Sequence, residues 1–67
     1  MRINPYQLET TMARRCMDYV ELQAAAQVTS QDIDMARNGS TELSPKVVGL
    51  IAGALEIDPA ELIDFPT

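Results

Sequence analysis

Residues 18–38 contain the feature that most limits the folds open to this chain, two short helical stretches separated by about four residues. The first stretch begins at Asp18, and Glu21 stands three residues later, so each side chain can bind a backbone N–H group that a helix start leaves unpaired. The second begins at Thr29, a residue preferred at helix starts, and ends at Asn38-Gly39, a common left-handed stop. Two helices joined this closely predict a helix-turn-helix.

The second helix of this motif, residues 30–37, is predicted to present a polar face to the outside. Ile33 and Ala36 lie three apart and are expected to point inward. The residues left to face outward are Ser30, Gln31, Asp34 and Met35, and a polar face on a short, anchored helix is what reading a DNA groove requires. The amide of Gln31 suits this role because it can form two hydrogen bonds with an adenine edge. The alternative is that Gln31 is an ordinary solvated surface residue.

Three further helix starts flank the motif, each marked by a capping residue followed by proline. They are Asn4-Pro5, Ser44-Pro45 and Asp58-Pro59. The helix after Ser44 has the most apolar residues at helical spacing and is the predicted centre of the core. Five helix starts without an alternating strand pattern predict an all-α bundle of five short helices, which forms a single domain over residues 1–67.

Three small residues carry expectations about packing. Cys16 continues an apolar stripe on the first helix that also includes Ala13, which predicts a buried thiol rather than a nucleophile. Gly49 and Gly53 weaken the helix that contains them, by roughly 1 kcal/mol each relative to alanine. Because these glycines lie on one side of that helix, we expect another part of the backbone to pack closely against them.

The composition argues against several classes of protein. No apolar run approaches the roughly 20 residues that a membrane span needs, and no signal-peptide pattern opens the chain. We therefore expect a cytoplasmic protein without a membrane partner. The chain has no histidine and one cysteine, so its serines lack a histidine to activate them, and no acidic cluster has metal-ligand spacing. Enzymatic activity, a bound metal and a cofactor are all unexpected.

Three stretches have a spacing that matches a known family of regulators. They are V-T-x-x-x-I at 28–33, N-G at 38–39, and L-I-A-x-A-L-x-I-D-P-A-E-L at 50–62. Together they resemble the lambda-repressor/Cro family of phage and bacterial proteins, also called XRE-type. The resemblance implies a compact five-helix lambda-repressor-like domain that acts as a sequence-specific DNA-binding transcriptional regulator. In such proteins a homodimer binds two operator half-sites in double-stranded DNA, each through one helix in the major groove, here helix 30–37.

The resemblance also implies roles for individual residues. It places Ser30, Gln31 and Met35 against the bases with Asp34 beside them, and it matches Thr29 to a usual phosphate contact. The remaining phosphate candidates are basic residues: Arg14, Arg15, Arg37 and Lys46. For Arg14 and Arg15 the alternative is that they compensate the negative end of the first helix.

The chain departs from the family at two points. Gln27 stands where a glycine is usual, so a positive φ is expected at this turn residue. Met12 and Arg37 stand where the family commonly pairs an arginine with a glutamate. Arg37 is therefore expected either to pair with a nearby acid such as Glu9 or to contact phosphate.

Charge is the main argument against DNA binding. Ten acidic and five basic residues give a net charge of −5, whereas DNA-binding domains are usually basic. This favours an alternative, an acidic helix-turn-helix module that binds another regulatory protein, for instance as an antirepressor. A homodimer would double the contacts with DNA, and the candidates for its interface are Leu62, Ile63 and Phe65. These three residues could equally cover the core of the monomer.

Overall fold

The computed structural model describes residues 1–64 of the chain, and this part is all-helical. It contains four α-helices: α1 (Pro5–Arg14), α2 (Tyr19–Ala26), α3 (Ser30–Arg37) and α4 (Pro45–Leu55). The predicted fifth helix is wrong, because Pro59–Glu61 forms only a single turn of 3-10 helix. Asp58 caps that turn through a bond from the Ala60 N–H. The turn stops at once because Leu62 and the residues after it pair with the N-terminal segment.

Every α-helix begins where the capping residues predicted it. The N-caps are Asn4, Asp18, Thr29 and Ser44. At α3 the capping box is complete: the Asp32 N–H donates to Thr29 Oγ1 and the Thr29 N–H donates to Asp32 Oδ2, both at 3.1 Å. These bonds satisfy N–H groups that would otherwise be unpaired at the helix start.

The core is centred on α4, as predicted. Four of its side chains are buried, namely Val48, Ile51, Ala52 and Leu55. Leu22 and Ala26 of α2 and Leu43 of the loop before α4 join the same cluster. The helix α3 supplies only Ile33 and Ala36, so most of its surface stays outside the core.

Each α-helix is followed by a residue in the left-handed backbone conformation. These residues are Cys16 (φ 51°), Gln27 (φ 57°), Gly39 (φ 70°) and Glu56 (φ 58°). The positive φ expected for Gln27 is confirmed. The prediction for Cys16 is wrong, because α1 has already ended and the Cys16 side chain is exposed. The Cys16 N–H instead closes the helix end by donating to the Ala13 carbonyl at 3.1 Å, and Ala13 is exposed as well.

The N-terminal segment and residues 62–64 lie side by side. Ile3 and Ile63 form an isolated antiparallel bridge, and the Asn4 N–H donates to the Leu62 carbonyl at 2.8 Å. Leu62 is fully buried in this arrangement, so it covers the core of the monomer and has no surface for a dimer partner. Ile63 is half-buried. The third interface candidate, Phe65, lies outside the described residues.

The expectation for the two helical glycines is also wrong. A Cβ placed on Gly49 or Gly53 meets nothing within 4 Å in the part of the chain that the structure describes. Gly39 differs, because a Cβ there would lie 3.0 Å from the Arg2 guanidinium group. Close packing against glycine thus occurs at the end of α3 and not on α4. In residues 1–64 every helix is too short or too polar to cross a membrane.

Candidate nucleic-acid interface

The predicted helix-turn-helix is present as α2, a three-residue turn and α3. The turn starts at Gln27, whose left-handed conformation reverses the chain, and it ends at Thr29 in an extended conformation. Between them Val28 is half-buried and packs against the core. The turn is therefore held at its centre by an apolar contact, and it fixes where α3 starts.

The outward face of α3 is polar and exposed. Gln31 and Asp34 lie opposite the buried pair Ile33 and Ala36, as the helical spacing predicted. Asn38, the C-cap of α3, falls on the same face because it follows Gln31 by seven residues, about two turns. The sequence predicts Asn38 only as a helix stop. The seven-residue spacing between Gln31 and Asn38 was the signal that could have identified Asn38 as a surface amide on the same face.

The other candidates for base contacts flank this face. Ser30 is exposed at the first position of α3. Met35 is half-buried and packs partly against the core, so only part of its side chain is open to a partner. The structure thus brings all four predicted residues onto one short helix, and Gln31 with Asp34 occupies the centre of its outward face.

Charge is distributed unevenly around the motif. No charged residue occurs between Glu21 and Asp32, which includes most of α2, the turn and the start of α3. Asp32 is half-buried and engaged in the capping box, so its charge lies at the positive end of the α3 dipole. Thr29 accepts one bond in that box and is exposed, which leaves its hydroxyl proton able to donate to a phosphate oxygen.

The predicted phosphate contacts differ in whether another side chain already binds them. Arg15 pairs with Glu56 at 3.2 Å, beyond the end of α4. Arg14 and Lys46 are exposed at the last turn of α1 and the first turn of α4, and neither forms an ion pair within residues 1–64. Arg2, which was not predicted to contact DNA, pairs with Asp64.

Arg37 does not pair with Glu9 or with any other acid within residues 1–64. Its guanidinium carbon lies 4.3 Å from the centre of the Tyr19 ring, a cation–π contact. The Tyr19 hydroxyl in turn donates to Glu9 Oε1 at 3.4 Å. Burial, and then the nearby Glu9 carboxylate, raise the pKa of Tyr19 above its usual value, while Arg37 acts in the opposite direction. No motif in the sequence marks Tyr19 as a functional residue.

A shallow groove of about 350 Å³ runs along the outer side of α2. Its lining consists of Val20, Gln23, Ala24, Gln27 and Val28. Val20 is 77% exposed, so the groove has an apolar side chain open to a partner. Within residues 1–64 no three potential ligands come together in a way that could hold a metal ion.

Comparisons of the chain with family models, curated protein sequences and solved structures gave no match. The geometry of α2, the turn and α3 is therefore the basis for assigning a function.

Proposed function

We propose that this protein is a sequence-specific DNA-binding transcriptional regulator of the lambda-repressor/Cro-like type, which inserts α3 into the major groove. The observation that carries the proposal is the outward face of α3, where Gln31 and Asn38 lie two turns apart and are both exposed. Amide side chains can bond the N6 and N7 atoms of adenine in two places.

The dimensions of α3 support this proposal. An α-helix with its side chains is about 10–12 Å across, which fits the roughly 12 Å wide major groove of B-DNA, and the eight residues of α3 give it a length of about 12 Å. The start of α3 and the turn before it carry no free acidic side chain, because the Asp32 carboxylate is bound in the capping box. This surface can approach the phosphate backbone with less repulsion than a net charge of −5 implies.

Few residues are available to contact DNA phosphates. Thr29, Arg14 and Lys46 are exposed candidates, whereas Arg15 would have to leave Glu56 and Arg37 would have to leave the Tyr19 ring. Because binding to random DNA depends mainly on basic side chains, we expect that binding to be weak. A homodimer doubles the contacts and places two α3 helices about 34 Å apart.

A second candidate function is supported by a different surface. The exposed Val20 and the groove beside it on α2 suit an apolar segment of another regulatory protein, and a net charge of −5 favours a protein over DNA as the partner. In this alternative the helix-turn-helix is a scaffold, and Val20 with Ala24 rather than α3 makes the contact.

One experiment separates the two functions. Double-stranded sequences selected from a random pool are titrated into isotope-labelled protein at low salt, and the backbone amide signals are followed by NMR. Shifts concentrated at Ser30, Gln31 and Asn38 support DNA recognition by α3. No enriched sequence, together with unchanged α3 signals for every duplex, would reject the proposal in favour of the protein-binding module.

A further inference from the structure

Three helices meet at one exposed point at the end of α3. Arg37 is the last residue of α3, Tyr19 is the first residue of α2, and Glu9 lies on α1. The Tyr19 ring is half-buried and lies beneath the Arg37 guanidinium group, 4.3 Å from its carbon to the ring centre. The bond from the Tyr19 hydroxyl to Glu9 is long at 3.4 Å. The cation–π contact between Tyr19 and Arg37 is therefore stronger than the hydrogen bond between Tyr19 and Glu9.

This contact adds to a small set that holds α3. Ile33 and Ala36 are its buried side chains, Met35 packs partly against the core, and the Arg2 Nε–H donates to the Gly39 carbonyl just after the helix. Because the apolar contacts lie on one side of α3, a contact on its flank opposes rotation of the helix about its own axis. Arg37 lies one turn after Ile33, on the flank of α3 rather than on the outward face, and its contact with Tyr19 opposes such a rotation.

We propose that Tyr19 is a positioning residue for α3: by holding Arg37 it sets the angle at which α3 presents Gln31 and Asn38. Arg37 then acts through Tyr19 and not by neutralising a DNA phosphate. This inference rests on the proposed function for its effect on DNA binding, whereas its effect on α3 can be measured in the protein alone.

The first test uses the protein without DNA. Hydrogen exchange of the amides of Ile33, Arg37 and Asn38 is compared in Tyr19→Leu and Tyr19→Phe. We expect exchange to rise roughly two- to fivefold in Tyr19→Leu, the range that an exposed cation–π contact implies, and to stay near wild type in Tyr19→Phe, which keeps the ring.

The matched control is Tyr6→Leu, because Tyr6 is 74% exposed on α1 and the ring that Arg37 lies over is that of Tyr19. It should leave exchange in α3 unchanged. Equal exchange in Tyr19→Leu and wild type would overturn the proposal, and so would an equal rise in Tyr6→Leu.

The second test measures affinity for a selected duplex at several salt concentrations. Arg37→Gln and Tyr19→Leu should each weaken binding roughly two- to fivefold without changing the salt dependence, and the double variant should lose no more than either alone. If Arg37 instead contacted phosphate, Arg37→Gln would reduce the salt slope by about 0.9 per subunit while Tyr19→Leu had no effect. That result would overturn the proposal.

The control for charge is Arg14→Gln, which removes an exposed arginine that has no ion pair within the described part of the chain. A lower salt slope in this variant shows that the assay detects a lost phosphate contact. If no duplex binds at all, the proposed function fails, and hydrogen exchange alone then decides whether Tyr19 positions α3.

Discussion

Gln31 is the residue on which sequence recognition depends most. It is exposed at the centre of the outward face of α3, and its amide can bond adenine in two places. We expect Gln31→Ala to weaken binding to the selected site by about 1–3 kcal/mol and to leave binding to random DNA nearly unchanged. The measurement is a pair of titrations with the two kinds of duplex.

The control for this prediction is Gln7→Ala, which removes an exposed amide from α1 and should change neither affinity. An equal loss on selected and random DNA would remove Gln31 from the residues that recognise bases. It would leave Asn38 as the remaining amide on that face.

The left-handed residues make a separate prediction about stability. Gln27 ends α2 with φ 57°, a conformation that costs a non-glycine residue roughly 1–2 kcal/mol. Glycine avoids most of this cost but loses more entropy on folding, so we expect Gln27→Gly to raise the free energy of unfolding by about 0.5–1 kcal/mol. Chemical denaturation measures the change. In contrast, Gln23→Gly lies inside α2 and should lower stability by about 1 kcal/mol; a loss of similar size in both variants would contradict the explanation.

At the scale of elements, α4 gains nothing from its glycines within the described chain. Gly49 and Gly53 lie inside the helix with open space around them. We expect Gly49→Ala and Gly53→Ala each to raise the free energy of unfolding by about 0.5–1 kcal/mol, because alanine is the better helix former. Gly39→Ala should instead lower it by about 1–2 kcal/mol, since φ is 70° there and Arg2 lies 3.0 Å from the added carbon.

Thermal unfolding of these three variants measures the predicted changes in the free energy of unfolding. A stabilised Gly39→Ala would show that the Arg2 side chain moves away at no cost. Destabilised Gly49→Ala and Gly53→Ala would show that a surface outside the described monomer packs against α4.

Some features of the helices could be predicted from the sequence alone and others could not. Helix starts were predictable because a cap residue and its partner three positions later are local, and all four are confirmed. Helix ends were harder to predict, because left-handed residues such as Cys16 and Glu56 are not glycines and nothing in the sequence marks their conformation. The fifth helix failed because pairing with the N-terminal segment, which is distant in sequence, decides the conformation after Glu61. The link between Tyr19 and Arg37 also joins distant residues, so no local pattern could indicate it.

At the scale of the whole molecule, Ile3 joins the two ends of the described chain. It is fully buried and bridges Ile63. We expect Ile3→Ala to lower the free energy of unfolding by about 2–4 kcal/mol, the usual loss for a buried isoleucine. Val20→Ala, at a position 77% exposed, should change it by less than about 0.5 kcal/mol. Denaturation curves that move equally for both variants would mean that Ile3 is not part of the core in solution.

The net charge gives a prediction for the whole complex. Each phosphate that a basic side chain neutralises contributes a slope of about −0.9 to the dependence of log affinity on log salt. Arg14 and Lys46 are exposed and form neither an ion pair nor a cation–π contact in residues 1–64, so a dimer that uses these two per subunit should give a slope of roughly −4 or shallower. Affinities measured from low to moderate salt provide the slope. A value near that of a strongly basic repressor, about −10, would require phosphate contacts that this surface does not offer.

The bridge between Ile3 and Ile63 also bears on how the protein is made. A ribosome adds Ile3 before any of the four helices, but Ile63, the bridge partner of Ile3, is added only after all four have been synthesised. Until then the N-terminal segment has no backbone partner at that position, and Leu62 is absent from the core. The domain therefore closes after translation has passed Ile63, and a nascent chain stalled inside α4 should be digested readily by a protease.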